Sequence, residues 1–119
     1  MRDEEFYEKF AAAWIEAWNS HDLHRILSHY EDSLVFTSPV LVKLMPESGG
    51  KLHSKKALGA YWSKALAAVP DLYFEPIAVL KGVDSAVIHY KGHGSKLCAE
   101  FFVFSANGLV VESHAHSEF

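Results

Sequence analysis

The chain has 119 residues and a mass of 13.3 kDa, the size of one domain, so we predict a single domain over residues 1–119. Half of the residues are hydrophobic and 22% are charged, which favours a buried core over disorder. Eleven Lys and Arg against fifteen Asp and Glu give a net charge of -4, and this acidic excess argues against nucleic acid as a partner.

Cysteine content and the first residues predict the cellular setting. Cys98 is the one cysteine, so no disulfide can form within the chain. Residues 1–5 are mostly charged and lack the apolar run of a signal peptide or membrane span. We therefore expect no membrane association and a reducing, cytoplasmic location.

The first part of the chain has helical periodicity. Apolar residues from Phe6 to Trp18 recur every three or four positions, which predicts a helix over Asp3–Ser20. Asp22 can cap a second helix, predicted to end at Tyr30. Leu34–Ser38 is β-branched and aromatic and is followed by Pro39, so it predicts a short strand.

A change of period marks the second half of the chain. Lys43–His53 has turn composition and predicts a loop, and Lys55–Val69 predicts a third helix capped by Ser54 and ended by Pro70. Four β-rich stretches with a period of two then follow: Leu72–Leu80, Ser85–His93, Leu97–Phe104 and Leu109–His116. Helices before strands indicate an α+β fold in which helices cover one face of a bent antiparallel sheet.

Several short motifs resemble one protein superfamily in their order and spacing. They are Ala17–Leu23 at the first helix corner, Tyr30–Asp32, Ser38-Pro39, Ser54–Leu58, Pro70–Leu72 and Asn107-Gly108. The chain resembles the SnoaL-like and ketosteroid-isomerase-like members of the nuclear-transport-factor-2-like superfamily over nearly its whole length. The resemblance implies a cone of three helices inside a bent sheet, with an apolar pocket at its open mouth.

The resemblance carries over only part of the isomerase site. The positions of the family's tyrosine and catalytic base correspond to Trp14 and Ser38, and neither residue can do the same chemistry. The late-strand carboxyl group corresponds to Glu100. No general base is identified, although His53 is a candidate, and no cofactor is implied.

Glu100 is the predicted catalytic residue. Alternation places it on the same face as Cys98, Phe102 and Phe104, an otherwise apolar row. Burial there would raise its pKa and make it a hydrogen-bond donor or general acid near neutral pH. A purely structural role is equally open, in which a Trp, Tyr or His side chain pairs with the buried carboxyl group.

The remaining predicted site residues are apolar or hydroxyl-bearing and would contact a small apolar ligand. Aromatic side chains on inner faces usually form the core, but in a cone they also form the pocket wall. The predicted ligand contacts are Trp14, Trp18, Tyr30, Phe36, Ser38, Trp62, Phe74, Phe102 and Ser113.

Histidines give weaker signals. His114 and His116 share one face of the last strand, with His89 and His93 as conceivable further ligands, but the helix-first order argues against a metal site and we predict none. The resemblance suggests that Ser113, Ala115 and Ser117 point inward, which leaves His114 and His116 outside. We expect them there at a subunit interface rather than on a substrate. The histidines at 21, 24 and 29 have the pattern of solvated or capping residues.

Two classes of function remain open. The first is a small-molecule enzyme that isomerises, cyclises or dehydrates an apolar carbonyl compound, with Glu100 donating to the developing oxyanion. The second is a non-catalytic ligand-binding or protein-interaction module. In either case the apolar outer rows, which include Phe101, Val103 and Val87, predict a homodimer through the outer face of the sheet.

Overall fold

A six-stranded sheet organises the molecule, and its strands lie in the order β2-β1-β6-β5-β4-β3. The computed structural model describes residues 2–118. The strands are β1 (Tyr30–Thr37), β2 (Lys51–Ser54), β3 (Glu75–Lys81), β4 (Ser85–Lys91), β5 (Leu97–Phe104) and β6 (Val110–Ser117). All neighbours are antiparallel except β1 and β6, which run parallel. The mixed α+β architecture predicted from the element order is confirmed, but the sheet is not wholly antiparallel and residues 2–118 contain four α-helices where three were predicted.

Helix α1 (Glu4–Ser20) and helix α2 (Leu23–Leu27) form the predicted corner. The Asp3 carboxylate caps α1 by accepting the Phe6 N–H, and α1 ends where His21 adopts a left-handed conformation. The Asp22 carboxylate caps α2, as predicted. However, α2 is shorter than expected, because Tyr30 already belongs to β1.

The predicted loop over Lys43–His53 is wrong, because most of this segment has regular structure. Helix α3 (Pro39–Leu44) starts directly after β1, and a 3₁₀ turn (Pro46–Ser48) and β2 follow it. Pro39 stands at the first helical position, where its missing N–H costs nothing, and the Ser38 hydroxyl accepts the Val40 N–H. The proline that ends the strand therefore also begins a helix.

Helix α4 (Lys55–Ala68) agrees with the prediction and is capped by Ser54, which accepts the Ala57 N–H. The four predicted strands of the second half are present, with ends shifted by up to three residues at β3 and by two or fewer elsewhere. β1 starts four residues earlier than predicted, at Tyr30. No helix of the described residues has the length and apolarity needed to cross a membrane.

The core lies between the helices and the inner face of the sheet and is rich in aromatic rings. Trp14 of α1 lies at its centre, completely buried. Its ring centroid lies 5.3 Å from that of Phe102 and 5.7 Å from that of Phe74. Trp18, Trp62 and Phe74 extend this packing, so interlocking rings hold the helices on the sheet.

Candidate functional site

Strand alternation brings Glu100 and Ser113 to the inner face of the sheet. On β5, Glu100 and Phe102 are buried while Phe101 is half-buried on the other face. On β6, Ser113 pairs with Phe102 in register and is also buried. The predicted inward direction of both residues is confirmed.

Two side chains donate hydrogen bonds to the Glu100 carboxyl group. The Ser113 hydroxyl donates to Oε2 at 2.9 Å, and the Tyr90 hydroxyl donates to Oε1 at 3.4 Å. The second distance is long for an O–H donor, so Ser113 is the stronger partner. Among residues 2–118, one oxygen of the carboxyl group therefore has only a weak hydrogen-bond donor.

Burial raises the pKa of Glu100 to about 7, and the hydrogen bonds from Ser113 and Tyr90 limit the rise. The cause is the loss of hydration, which penalises the charged carboxylate more than the neutral acid. Near neutral pH the group thus exists in both protonation states. A carboxyl group of this kind can act as a proton donor or accept a proton back.

Three tyrosines lie close enough to Glu100 to sense its charge. Burial, reinforced by the Glu100 charge, raises the pKa of Tyr30 and of Tyr90 well above the ordinary value. Burial also raises the pKa of Tyr61, where an interaction with Ser38 opposes the rise and the Glu100 charge adds to it. These hydroxyls remain protonated at neutral pH and are donors, not bases.

The tryptophans of α1 differ in their hydrogen bonding. Trp14 Nε1 donates to the Tyr30 hydroxyl at 3.0 Å, which fixes Tyr30 at the start of β1. Trp18 Nε1 is also buried but has no hydrogen-bond partner among the described residues. An unsatisfied buried donor typically costs about 1–3 kcal/mol, and an acceptor atom of a small ligand would satisfy it.

The residues predicted to contact a ligand are largely covered in this structure. Trp14, Tyr30 and Phe102 have no exposed surface, so in this structure no opening reaches them. The expected open mouth is therefore not formed at these residues. The other members of the set are buried to at least nine-tenths: Trp18, Phe36, Ser38, Trp62, Phe74 and Ser113. Ligand contact by these residues stays a prediction.

Two shallow surface grooves lie away from the centre of the core. One, beside the start of α4, is lined by residues that include Asp32, Lys55 and Lys56. The other, of about 450 Å³, runs along the end of β1 and the start of α3 and includes Thr37, Ser38 and Val42. Ser38 lines this second groove and also interacts with Tyr61, whose hydroxyl senses the Glu100 charge.

The segment after β1 is held closely against Ser38. The Ser38 N–H donates to the Gly50 carbonyl at 3.3 Å. Gly50 has a φ of +81°, and a Cβ there would come within 2.8 Å of the Val42 side chain. A glycine is thus required where the chain returns past α3 to form β2.

The structure does not support His53 as a general base. His53 is exposed on β2, whereas its neighbour Leu52 pairs with Phe36 and points into the core. Alternation therefore directs the His53 ring away from Glu100. No other imidazole replaces it on the inner face of the described strands.

The other histidines have local roles. His21 Nε2 lies 2.7 Å from the Leu72 carbonyl, and His29 packs edge-on against Phe10, so His29 is not simply solvated. Burial, with a contribution from Arg25, lowers the pKa of His29. His114 and His116 lie on the outer face, as expected, and residues 2–118 contain no group of three or more side chains arranged to hold a metal.

Tyr90 and Tyr61 are parts of the site that the sequence reasoning did not select. Tyr90 alternates with Ile88 and Ala86 on β4, so the period-two pattern could have placed it inward beside Glu100. Tyr61 is adjacent to Trp62 on α4 and was one aromatic among many. Only the three-dimensional packing distinguishes it.

Comparison with solved structures supports the fold assignment. The chain is 44% identical to a SnoaL-like protein of unknown function from Burkholderia thailandensis, with full coverage of both chains and a TM-score of 0.93. It is 14% identical to SalBIII, an epoxide hydrolase/cyclase-like enzyme with a role in pyran ring formation in salinomycin, covering 100% of this chain and 95% of that one, with a TM-score of 0.79.

A more distant structure has the same architecture. A candidate ketosteroid isomerase from Kribbella flavida is 12% identical, with 97% of this chain and 79% of that one covered and a TM-score of 0.73. No curated protein matches the chain at a significant level. The family model for the SnoaL-like domain matches residues 11–119. With nearly the whole length matched, the chain belongs to the SnoaL-like domain family.

Proposed function

We propose that this protein is an enzyme that cyclises, dehydrates or isomerises a small apolar carbonyl compound inside the cone, with Glu100 as its general acid. The observation that carries the proposal is the burial of Glu100 among aromatic rings, with its pKa raised to about 7. Proteins with the same fold, at 12% and 14% identity, include ones named for cyclase and isomerase chemistry, which is consistent with this proposal.

The donor set around Glu100 suits a developing oxyanion. Protonated Glu100 would donate to the substrate oxygen, and Ser113 would hold the carboxyl group in position through Oε2. Tyr90 makes only a long hydrogen bond to Oε1, so its hydroxyl is available to turn towards a substrate. Trp18 Nε1, which lacks a partner among the described residues, is a further donor for a ligand atom.

The site offers few groups that can act as a general base. The raised pKa values of Tyr30, Tyr61 and Tyr90 keep these hydroxyls protonated, and His53 lies outside. Glu100 must therefore give a proton and recover one within a turnover. Cyclisation, dehydration and isomerisation all meet this condition, because the hydroxyl or C–H group that loses its proton passes it to the Glu100 carboxylate.

Substrate entry requires movement, because the centre of the core is closed. We propose that the ligand enters from the groove at Ser38, which borders both the surface and Tyr61. Displacement of α3, whose Val40 and Val42 are exposed while Leu41 is buried, would open this route. Exclusion of water after closure would preserve the raised pKa of Glu100.

A non-catalytic binding or interaction module is the second candidate function. The observation that favours it is the filled interior, in which Trp14 and Phe102 have no exposed surface. We also keep the proposal of a homodimer through the outer rows of β4 and β5, where Val87, Phe101 and Val103 remain only half-buried.

Dehydration of 4-hydroxy-4-phenylbutan-2-one tests the proposed function, because its conjugated product absorbs ultraviolet light. We expect the native protein to accelerate the reaction below about pH 7 and to lose rate as Glu100 deprotonates at higher pH. Glu100→Gln should abolish the acceleration. Glu75→Gln changes an exposed carboxyl group and should leave it intact.

The same compounds separate the two candidate functions. Binding of the unsaturated ketone product can be followed by quenching of tryptophan fluorescence, since all three tryptophans lie in the core. Binding without turnover would favour the non-catalytic module. Equal turnover by the native protein and Glu100→Gln would remove Glu100 from the acid role.

A further inference from the structure

Three polar side chains on the outer face of the sheet form a continuous hydrogen-bonded chain. Thr37 Oγ1 lies 2.6 Å from His114 Nδ1, and His114 Nε2 lies 2.7 Å from Glu112 Oε2. The order is hydroxyl, imidazole and carboxylate. We call these residues the outer triad.

The fold fixes the outer triad through strand register. The parallel pairing of β1 with β6 places Thr37 opposite His114, and Glu112 precedes His114 by two residues on the same face. The ring of Phe101 on β5 stacks on the His114 ring at a centroid distance of 6.2 Å and an angle of 11°. Neighbours on three strands therefore hold the imidazole plane.

The geometry suits activation of the Thr37 hydroxyl. A carboxylate beside Nε2 favours the tautomer in which this nitrogen carries the hydrogen and donates it to Glu112. Nδ1 then has a free lone pair that accepts the Thr37 hydroxyl proton. An orienting carboxylate, an imidazole base and a hydroxyl nucleophile in this order are the elements of nucleophilic acyl transfer.

A surface groove beside Thr37 is the route by which a substrate would reach its hydroxyl. The groove is lined by Thr37 together with Pro39, Val42 and Lys51. Pro39 and the exposed Val42 provide apolar contact, and the exposed Lys51 provides a positive charge. This combination fits a short acyl group whose carbonyl oxygen becomes negative during reaction.

We propose that the outer triad is a second catalytic site, which hydrolyses small esters through an acyl-Thr37 intermediate. Thr37 Oγ1 bonds to the ester carbonyl carbon as its proton passes to His114 Nδ1. The bond to the alcohol oxygen then breaks, and this oxygen takes the proton from His114. Water attacks the acyl-threonine, gives a proton to His114, and the acid leaves as Thr37 recovers that proton.

The outer triad is separate from the Glu100 site. On β1, Phe36 and Ser38 are buried and Thr37 between them lies on the opposite face; on β6, Ser113 and His114 alternate in the same way. The His114 side chain is 25% exposed and that of Glu112 is 45% exposed. Both proposals use the groove lined by Thr37 and Ser38, but their catalytic groups differ, so loss of Glu100 leaves the outer triad intact and loss of the Thr37 hydroxyl leaves Glu100 intact. The outer triad also requires that the proposed homodimer, which would cover Phe101, leave Thr37 accessible.

Hydrolysis of 4-nitrophenyl acetate tests this proposal. We expect Thr37→Val, which keeps the shape and removes the hydroxyl, to lower the rate by about 10²-fold. Thr37→Ser should retain most of the rate. His116→Gln is the matched control, because His116 is an exposed histidine on the same strand outside the outer triad, and it should leave the rate unchanged.

Detection of a covalent acyl group on the native protein tests the proposal without relying on a variant that folds. Acid quenching during turnover of the native protein should leave one acetyl group on the peptide that contains Thr37, as located by mass spectrometry. Acetyl groups found elsewhere and absent from Thr37 would overturn the proposal. An unchanged rate in Thr37→Val, or an equal loss in His116→Gln, would also overturn it, because surface imidazoles would then account for the hydrolysis.

Discussion

The two faces of the sheet carry polar clusters of opposite character. Inside, Glu100 and Ser113 lie in a nearly dry environment, and burial controls the protonation of the carboxyl group. On the outside, His114 and Glu112 remain partly exposed. The hydrogen bonds of His114 to Thr37 and Glu112 favour one tautomer of its ring. Strand alternation thus places one polar cluster where loss of hydration sets the protonation of a carboxyl group. It places the other where hydrogen bonds orient an imidazole ring.

The largest expected contrast between the faces is in packing. Phe102 has no exposed surface and contacts Phe10 and Trp14 edge-on, so Phe102→Ala should destabilise the protein by about 3–5 kcal/mol. Phe101→Ala on the opposite face should cost about 1 kcal/mol, because its ring is half-buried and stacks on one neighbour, His114. Urea unfolding of both variants measures the difference.

Varying the protein concentration tests whether the outer face of the sheet pairs two copies of the chain. If the outer face pairs two copies, the cost of Phe101→Ala rises with concentration while that of Phe102→Ala does not. Light scattering after size-exclusion chromatography reports the mass directly. Equal costs for both substitutions in a protein of monomeric mass would contradict the assignment of inner and outer faces.

The second contrast is in the pH dependence of stability. The ordinary pKa of a glutamate is 4.5 and that of Glu100 in the folded protein is about 7. Between these values the folded protein holds a proton that the unfolded chain releases, so this group's contribution to stability falls as pH rises and levels off above about 7. The loss approaches roughly 3 kcal/mol.

Glu100→Gln removes this dependence, because the amide has no proton to lose. Relative to the native protein, the variant should gain up to roughly 3 kcal/mol between about pH 4 and about pH 8. Glu75→Gln is the control, since this side chain is exposed. Parallel unfolding curves for the native protein and Glu100→Gln at every pH would show that Glu100 is hydrated in solution.

The smallest contrast lies within the core, between two tryptophans one turn apart on α1. Trp14→Phe leaves the Tyr30 hydroxyl without its donor, whereas Trp18→Phe removes an N–H that has no partner in the described structure. We expect Trp14→Phe to cost about 1–2 kcal/mol more than Trp18→Phe. Thermal unfolding of both variants measures this difference in stability. A larger cost for Trp18→Phe would indicate that a hydrogen-bond acceptor is bound at Trp18.

The sequence predicts the parts of the fold that depend on local pattern. The apolar stripe of α1, the caps at Asp22 and Ser54, and the alternation that directs Glu100 inward are all read from neighbouring residues. The segment after Ser38 is missed for a physical reason. Its helix has six residues, too few for a periodic signal, and Leu41 holds it by tertiary burial.

The candidate site is predictable only in part, because its partners come from separate strands. Glu100 is identified as a polar residue in an apolar row, but its contacts with Tyr90 and Ser113 follow from register across three strands. The outer triad depends on the parallel pairing of β1 with β6, which joins residues 77 positions apart. The core is closed because aromatic rings from several helices and strands pack together. The residue pattern of a single strand does not predict this packing.

The place of β6 in the sheet has a consequence for how the molecule assembles. Within the described sheet, the β2-β1 pair and the β5-β4-β3 meander meet only through β6, whose sequence comes after all of theirs. The β2-β1 pair and the β5-β4-β3 meander cannot join into one sheet until β6 has been synthesised and has paired with both. Such distant pairing carries a high loop-closure entropy, so we expect slow acquisition of native structure from two preformed halves.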